Sequence, residues 1–130
     1  MRRLCSRRVR GLLRWQIWSH VYLGKGTWLQ VAGLIKHQEW NNIFLITDKF
    51  GKDNFKPDKK SKMVVIDPNK RLTELVEDIR KSLDRKLGID VAVNLISGTG
   101  KEHMAVMSAL LKLGAGIRLI ALTKEGISEV

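Results

Sequence analysis

From His20 to the end of the chain, short apolar runs alternate with stretches whose apolar residues recur at helical spacing. That alternation restricts the fold more than any other feature, because strands separated by helices are the mark of a parallel sheet with its crossovers. His20, Val21, Tyr22 and Leu23 read as a first buried strand, followed by the turn Gly24-Lys25-Gly26-Thr27. Trp28, Val31, Ala32, Leu34 and Ile35 then recur at helical spacing, with Thr27 as N-cap. Ile43 to Thr47 is a continuous apolar strand of the kind buried on both faces. Residues 48–62 read as a basic loop too polar to pack, and Met63 to Ile66 as a third strand. Asp67-Pro68 is a helix start, with Asp67 as N-cap and Pro68 at the first helical position. Leu72, Leu75, Val76, Ile79, Leu83 and Leu87 form one helical face, which Gly88 is placed to end. Val91, Val93 and Leu95 mark a fourth strand, Lys101 to Leu113 a helix, and Ile117 to Leu122 a fifth strand.

The expected fold is therefore α/β: a Rossmann-like open, mainly parallel five-stranded sheet with helices on both faces. At 130 residues the chain is one domain's worth. No apolar run approaches the ~20 residues that a membrane span needs. Cys5, the single cysteine, excludes a disulfide framework and a cysteine-based zinc site, and it suits a cytoplasmic setting. The histidines and carboxylates show no metal-ligand spacing, so no metal is expected; no cofactor is expected either, a nicotinamide one remaining only a minor alternative.

Net charge is +11, which suggests nucleic-acid binding until its location is considered. Residues 1–19 carry Arg2, Arg3, Arg7, Arg8, Arg10 and Arg14 and no acid, so +6 of the +11 lies there. Residues 20–130 hold 18 basic and 13 acidic side chains. The arginine spacing in 1–19 would suit a surface helix on a membrane or nucleic acid, and the composition also suits a transit peptide. Its abrupt contrast with the rest favours a basic leader outside the fold, leaving residues 20–130 as the domain. Among residues 49–62, Lys49, Lys52, Lys56, Lys59, Lys60 and Lys62 form a basic run diluted by Asp53 and Asp58. Phe50 and Phe55 are the only aromatic side chains there, which makes a weak platform for single strands.

In open α/β sheets, ligands bind outside the carboxyl ends of the strands, where the strand order reverses. If the order is 3-2-1-4-5, the first and fourth strands meet there, and each is followed by a glycine turn that opens a helix. Gly24, Lys25, Gly26 and Thr27 form one turn; Ser97, Gly98, Thr99, Gly100 and Lys101 form the other. Glycines permit close backbone approach, helix N-termini supply N–H donors, and the two lysines add positive charge. The combination describes a site for a phosphorylated ligand. Named nucleotide motifs do not fit: Leu95 and Glu102 break a Walker A pattern, and Leu29 breaks the dinucleotide fingerprint begun by Gly24 and Gly26. Asp48, at the end of the second strand, is the one feature that suits a ribose-binding acid.

The run Val93-Asn94-Leu95-Ile96-Ser97-Gly98-Thr99-Gly100-Lys101, with its Met-bearing helix, resembles the CRISPR-associated Rossmann fold (CARF) family. His20 to Gly24 and the strand Ile43 to Thr47 are similar too, so the resemblance spans about residues 20–130. It implies a homodimer that binds a cyclic oligoadenylate across its axis and controls antiviral defence through an effector, here a separate protein. By position, Asn94, Ser97, Gly98, Thr99 and Lys101 would line the ligand with Gly24 and Thr27. Ile96 stands where the family usually has Thr, and Lys101 lies one position later than the family's basic residue. Two alternatives remain: a metal-independent ring nuclease that cleaves the ligand, with Lys101 and His103 as candidate catalytic groups, or a basic nucleic-acid-binding protein.

Overall fold

The computed structural model describes residues 16–21, 25–37, 40, 42–54, 61–87, 90–96 and 98–130. The chain is mixed α/β. Its strands are β1 (Gln16–Val21), β2 (Asn42–Thr47), β3 (Ser61–Val65), β4 (Asp90–Asn94), β5 (Gly116–Thr123) and β6 (Gly126–Glu129). Its helices are α1 (Lys25–His37), α2 (Lys49–Asn54), α3 (Leu72–Leu83) and α4 (Gly100–Lys112). The strand order is β3-β2-β1-β4-β5-β6. β1 runs parallel to β2 and β4, β2 to β3, and β4 to β5, whereas β6 pairs antiparallel with β5.

Strand alternation distributes the core between two faces. Phe44 and Ile46 of β2, with Val91 and Val93 of β4, join one cluster with Leu75, Val76, Ile79 and Leu83 of α3 and Ala105, Val106, Ala109 and Leu110 of α4. Ile43 and Leu45 of β2, with Ala92 of β4, meet Val31 and Leu34 of α1 on the opposite side. Trp40 seals that second cluster, and its indole N–H donates to the Leu34 carbonyl at 3.0 Å. Buried indole N–H groups require such a partner.

Several local expectations need correction. β1 starts at Gln16, ahead of the strand expected at His20, so residues 16–19, assigned above to the leader, belong to the central strand. Residues 1–15 lie outside the described residues. α1 begins at Lys25, which puts Thr27 inside the first turn rather than at its cap. Residues 48–62 are not all loop, because α2 occupies Lys49–Asn54. The Asp48 side chain accepts from the Gly51 N–H at 2.8 Å, and its carbonyl accepts from Lys52. A cap of this sort nucleates one turn without an apolar face, which is why periodicity misses it.

Asp67 and Pro68 do not open α3. The Asp67 side chain accepts from the Asn69 N–H at 3.0 Å and its carbonyl accepts from Lys70, so a side-chain turn comes first and the helix starts at Leu72. α3 also stops at Leu83, before Leu87, with Arg85 at φ 59° in the exit turn. Leu87 still packs partly buried against the first cluster. β6 has no counterpart in the expected five-stranded sheet. A tight turn with Gly126 at φ 109° reverses the chain after β5, and the Thr123 hydroxyl donates to the Gly126 carbonyl at 2.9 Å.

Candidate functional site at the carboxyl edge

Parallel pairing brings the carboxyl ends of β1 to β4 to one edge of the sheet, and β1 and β4 are neighbours there. α1 and α4 start from that edge at Lys25 and Gly100. Gly24 and Ser97 lie outside the described residues. Lys25, Gly26 and Thr27 form the first turn of α1.

The β4–α4 turn is defined in detail. Gly98 sits at φ 111°, a conformation that strongly favours glycine. Thr99 is the N-cap of α4, and its side-chain oxygen accepts from the Glu102 N–H. The Glu102 carboxylate accepts in turn from the Thr99 N–H at 2.8 Å, which completes a reciprocal capping box. Glu102 is only 1% exposed. The turn thus carries an internal negative charge at the positive end of α4, which stabilises the helix. Glu102→Ala removes that acceptor from a buried N–H and is expected to cost about 1–3 kcal/mol in urea unfolding, while Glu102→Gln keeps most of the stability. Equal losses in both variants would show that the carboxylate charge, rather than the hydrogen bond, holds the turn.

The other predicted residues fall into distinct positions. Asn94, at the end of β4, is 3% exposed. Its amide donates to the Ile120 carbonyl of β5 at 2.8 Å, and its oxygen accepts from the Ile96 N–H at 3.3 Å. Asn94 therefore ties two strands to the turn. Gly100 is not sterically required, since a Cβ there would meet nothing within 4 Å. Lys101 is exposed, and its ammonium donates to the Pro68 carbonyl at 3.0 Å. His103 is half-buried, with its N–H on the Thr99 carbonyl at 2.9 Å. Residues two apart on a helix do not face each other, so Lys101 and His103 do not form an acid–base pair. The structure thus gathers Gly98, Thr99, Gly100 and Lys101 into one turn. No protein-family model and no curated protein matches the chain.

A cleft of about 560 Å³ lies beside this turn, at the carboxyl ends of β2 and β3. Asp48, Phe50, Val65, Asp67 and Pro68 contribute to its lining, and Lys70 and Asp78 form an ion pair at its rim, 2.8 Å apart. The hydrogen bond to Asp78, helped by the attraction between the two charges, raises the Lys70 pKa above its ordinary value of 10.5, so Lys70 is cationic at neutral pH. Among the described residues, no helix is long and apolar enough to cross a membrane.

Sequence reasoning missed the role of Glu102 and the cleft. The first was legible in Thr99-Gly100-Lys101-Glu102, an S/T-x-x-E pattern at a helix start. The second depends on how the turns after β2 and β3 face each other, which no local pattern encodes.

Proposed function

We propose that the chain is a nucleotide-sensing domain of the Rossmann-like, CARF type, binding a cyclic oligoadenylate or a similar phosphorylated ligand as a homodimer. The adjacency of β1 and β4 carries this reading, because α1 and α4 then open beside each other at the reversal of strand order. Gly98, with its positive φ, and the exposed Lys101 suit a phosphate at that edge. The Lys101 ammonium donates to the Pro68 carbonyl, and an ammonium carries three N–H donors, so it keeps donors for an anion. Self-association is supported by α4, where Met104 and Leu111 are 60% and 66% exposed and stand seven residues apart on one face.

Cyclic tetra-adenylate or hexa-adenylate is expected to raise the melting temperature of the full chain, because a ligand that binds only the folded state stabilises it. Lys101→Ala should reduce the shift severalfold without changing the melting temperature of the free protein. An unchanged melting temperature at saturating ligand overturns the reading. Consumption of the ligand, abolished by Lys101→Ala or His103→Ala, would replace sensing with ring-nuclease activity.

A further inference from the structure

We propose that the cleft between the carboxyl ends of β2 and β3 is a ribonucleoside subsite, in which the base stacks on Phe50 and the ribose 2′-hydroxyl, which a 3′,5′-linked cyclic oligoadenylate keeps free, donates to Asp48 or Asp67. The proposal rests on the nucleotide reading above and gives that ligand's nucleoside portion a place.

Three observations converge. Phe50 and Val65 are 48% and 44% exposed, yet both line this one cleft. Large apolar side chains left open in a single concavity offer a surface for a planar, weakly hydrated group such as a nucleobase. Each of the two carboxylates is fixed by a backbone N–H: Asp48 by Gly51 at 2.8 Å, and Asp67 by Asn69 at 3.0 Å. A carboxylate has about four acceptor positions, so each keeps capacity for the hydroxyl donors of a ribose. Finally, the cleft is continuous with the β4–α4 turn, since Pro68 lines the cleft while its carbonyl receives the Lys101 ammonium. A nucleotide with its base on Phe50 and its phosphate on Lys101 would span the cleft and this turn. An anion alone gains little from the cleft, because Asp48, Asp67 and Asp78 outnumber Lys49 and Lys70 in its lining.

The test uses the full chain and calorimetric titration with adenosine, which lacks phosphate, and with 2′,3′-dideoxyadenosine, which lacks the 2′- and 3′-hydroxyls. Adenosine is expected to bind at millimolar concentration or below, and the dideoxy compound about tenfold more weakly. Phe50→Ala should weaken adenosine about tenfold, the usual scale of a lost base–aromatic stack. Val65→Trp, at an exposed strand position where a large side chain obstructs the cleft, should abolish binding even if Phe50→Ala proves unstable. Adenosine that fails to bind, or binds equally to both variants, overturns the subsite. If cyclic tetra-adenylate still stabilises the chain through Lys101 in that case, the sensing function survives without the cleft. If adenosine occupies the cleft while cyclic tetra-adenylate gives no shift, the subsite stands and the cyclic ligand is excluded.

Discussion

Phe44→Ala is expected to destabilise the protein by about 3–5 kcal/mol, the usual range for deleting a buried ring. Phe44 is 2% exposed in β2, and its side chain joins the cluster formed with α3 and α4. Truncation removes transfer energy and also leaves a void, since a strand flanked by β1 and β3 cannot collapse into the space. The Lys62 ammonium, 5.9 Å from the ring centroid, adds only a small cation–π contribution at an exposed position. Domains of this size are stable by roughly 5–15 kcal/mol, so the variant sits close to its unfolding threshold. The expected drop in melting temperature is on the order of 10–20 °C. A loss below ~1 kcal/mol in urea unfolding would mean that this face of β2 is not the core.

The second large effect is expected from Asn94→Asp, a substitution that barely changes shape. The native amide donates to the Ile120 carbonyl, and its oxygen accepts from Ile96. A carboxylate supplies two acceptors where one donor is needed, so a negative charge would face a carbonyl oxygen in a site that water scarcely reaches. An uncompensated buried charge of this kind costs about 3–5 kcal/mol at pH 7. Burial and the facing carbonyl both raise the folded-state pKa of the new carboxyl above its unfolded value near 3.9. Its penalty is therefore full above the folded pKa and disappears below the unfolded one. Urea unfolding at pH 7 and near pH 4 should show a large deficit relative to the native protein that shrinks with acid. A variant as stable as the native protein at pH 7 would show that the Asn94 amide does not hold β4, β5 and the turn together.

Both residues show what the sequence makes legible. Long periodic segments were clear, because the core faces of α3, β2 and β4 bury large apolar areas at regular spacing. The adjacency of β1 and β4 entered only as a condition on strand order, because alternating elements give parallel strands and crossovers without saying which non-consecutive strands are neighbours. Features set by one or two hydrogen bonds were not. The six-residue α2 depends on the Asp48 cap, the delay of α3 on the Asp67 turn, and β6 on a reversal at Gly126. Each outweighs weak local propensity with a single side-chain or backbone geometry. Asn94 appears in the sequence as one polar residue ending an apolar strand, and only the sheet reveals that its amide spans two strands. Within the candidate site, the glycines and Lys101 are visible as a pattern. Glu102 stands out in the sequence as a break in the Walker A pattern, although the spacing Thr99-x-x-Glu102 contains its capping role.

That capping role bears on selectivity. The amino pole of α4 already holds a carboxylate of its own, so its field is partly cancelled from within. A small inorganic anion arriving there would meet a pole whose field is already weakened. What the edge still offers is directional: the left-handed backbone turn at Gly98, Lys101, and the walls of the neighbouring cleft. A ligand of the proposed kind would gain more from shape and reach there than from charge, and the turn is already fixed by its own hydrogen bonds.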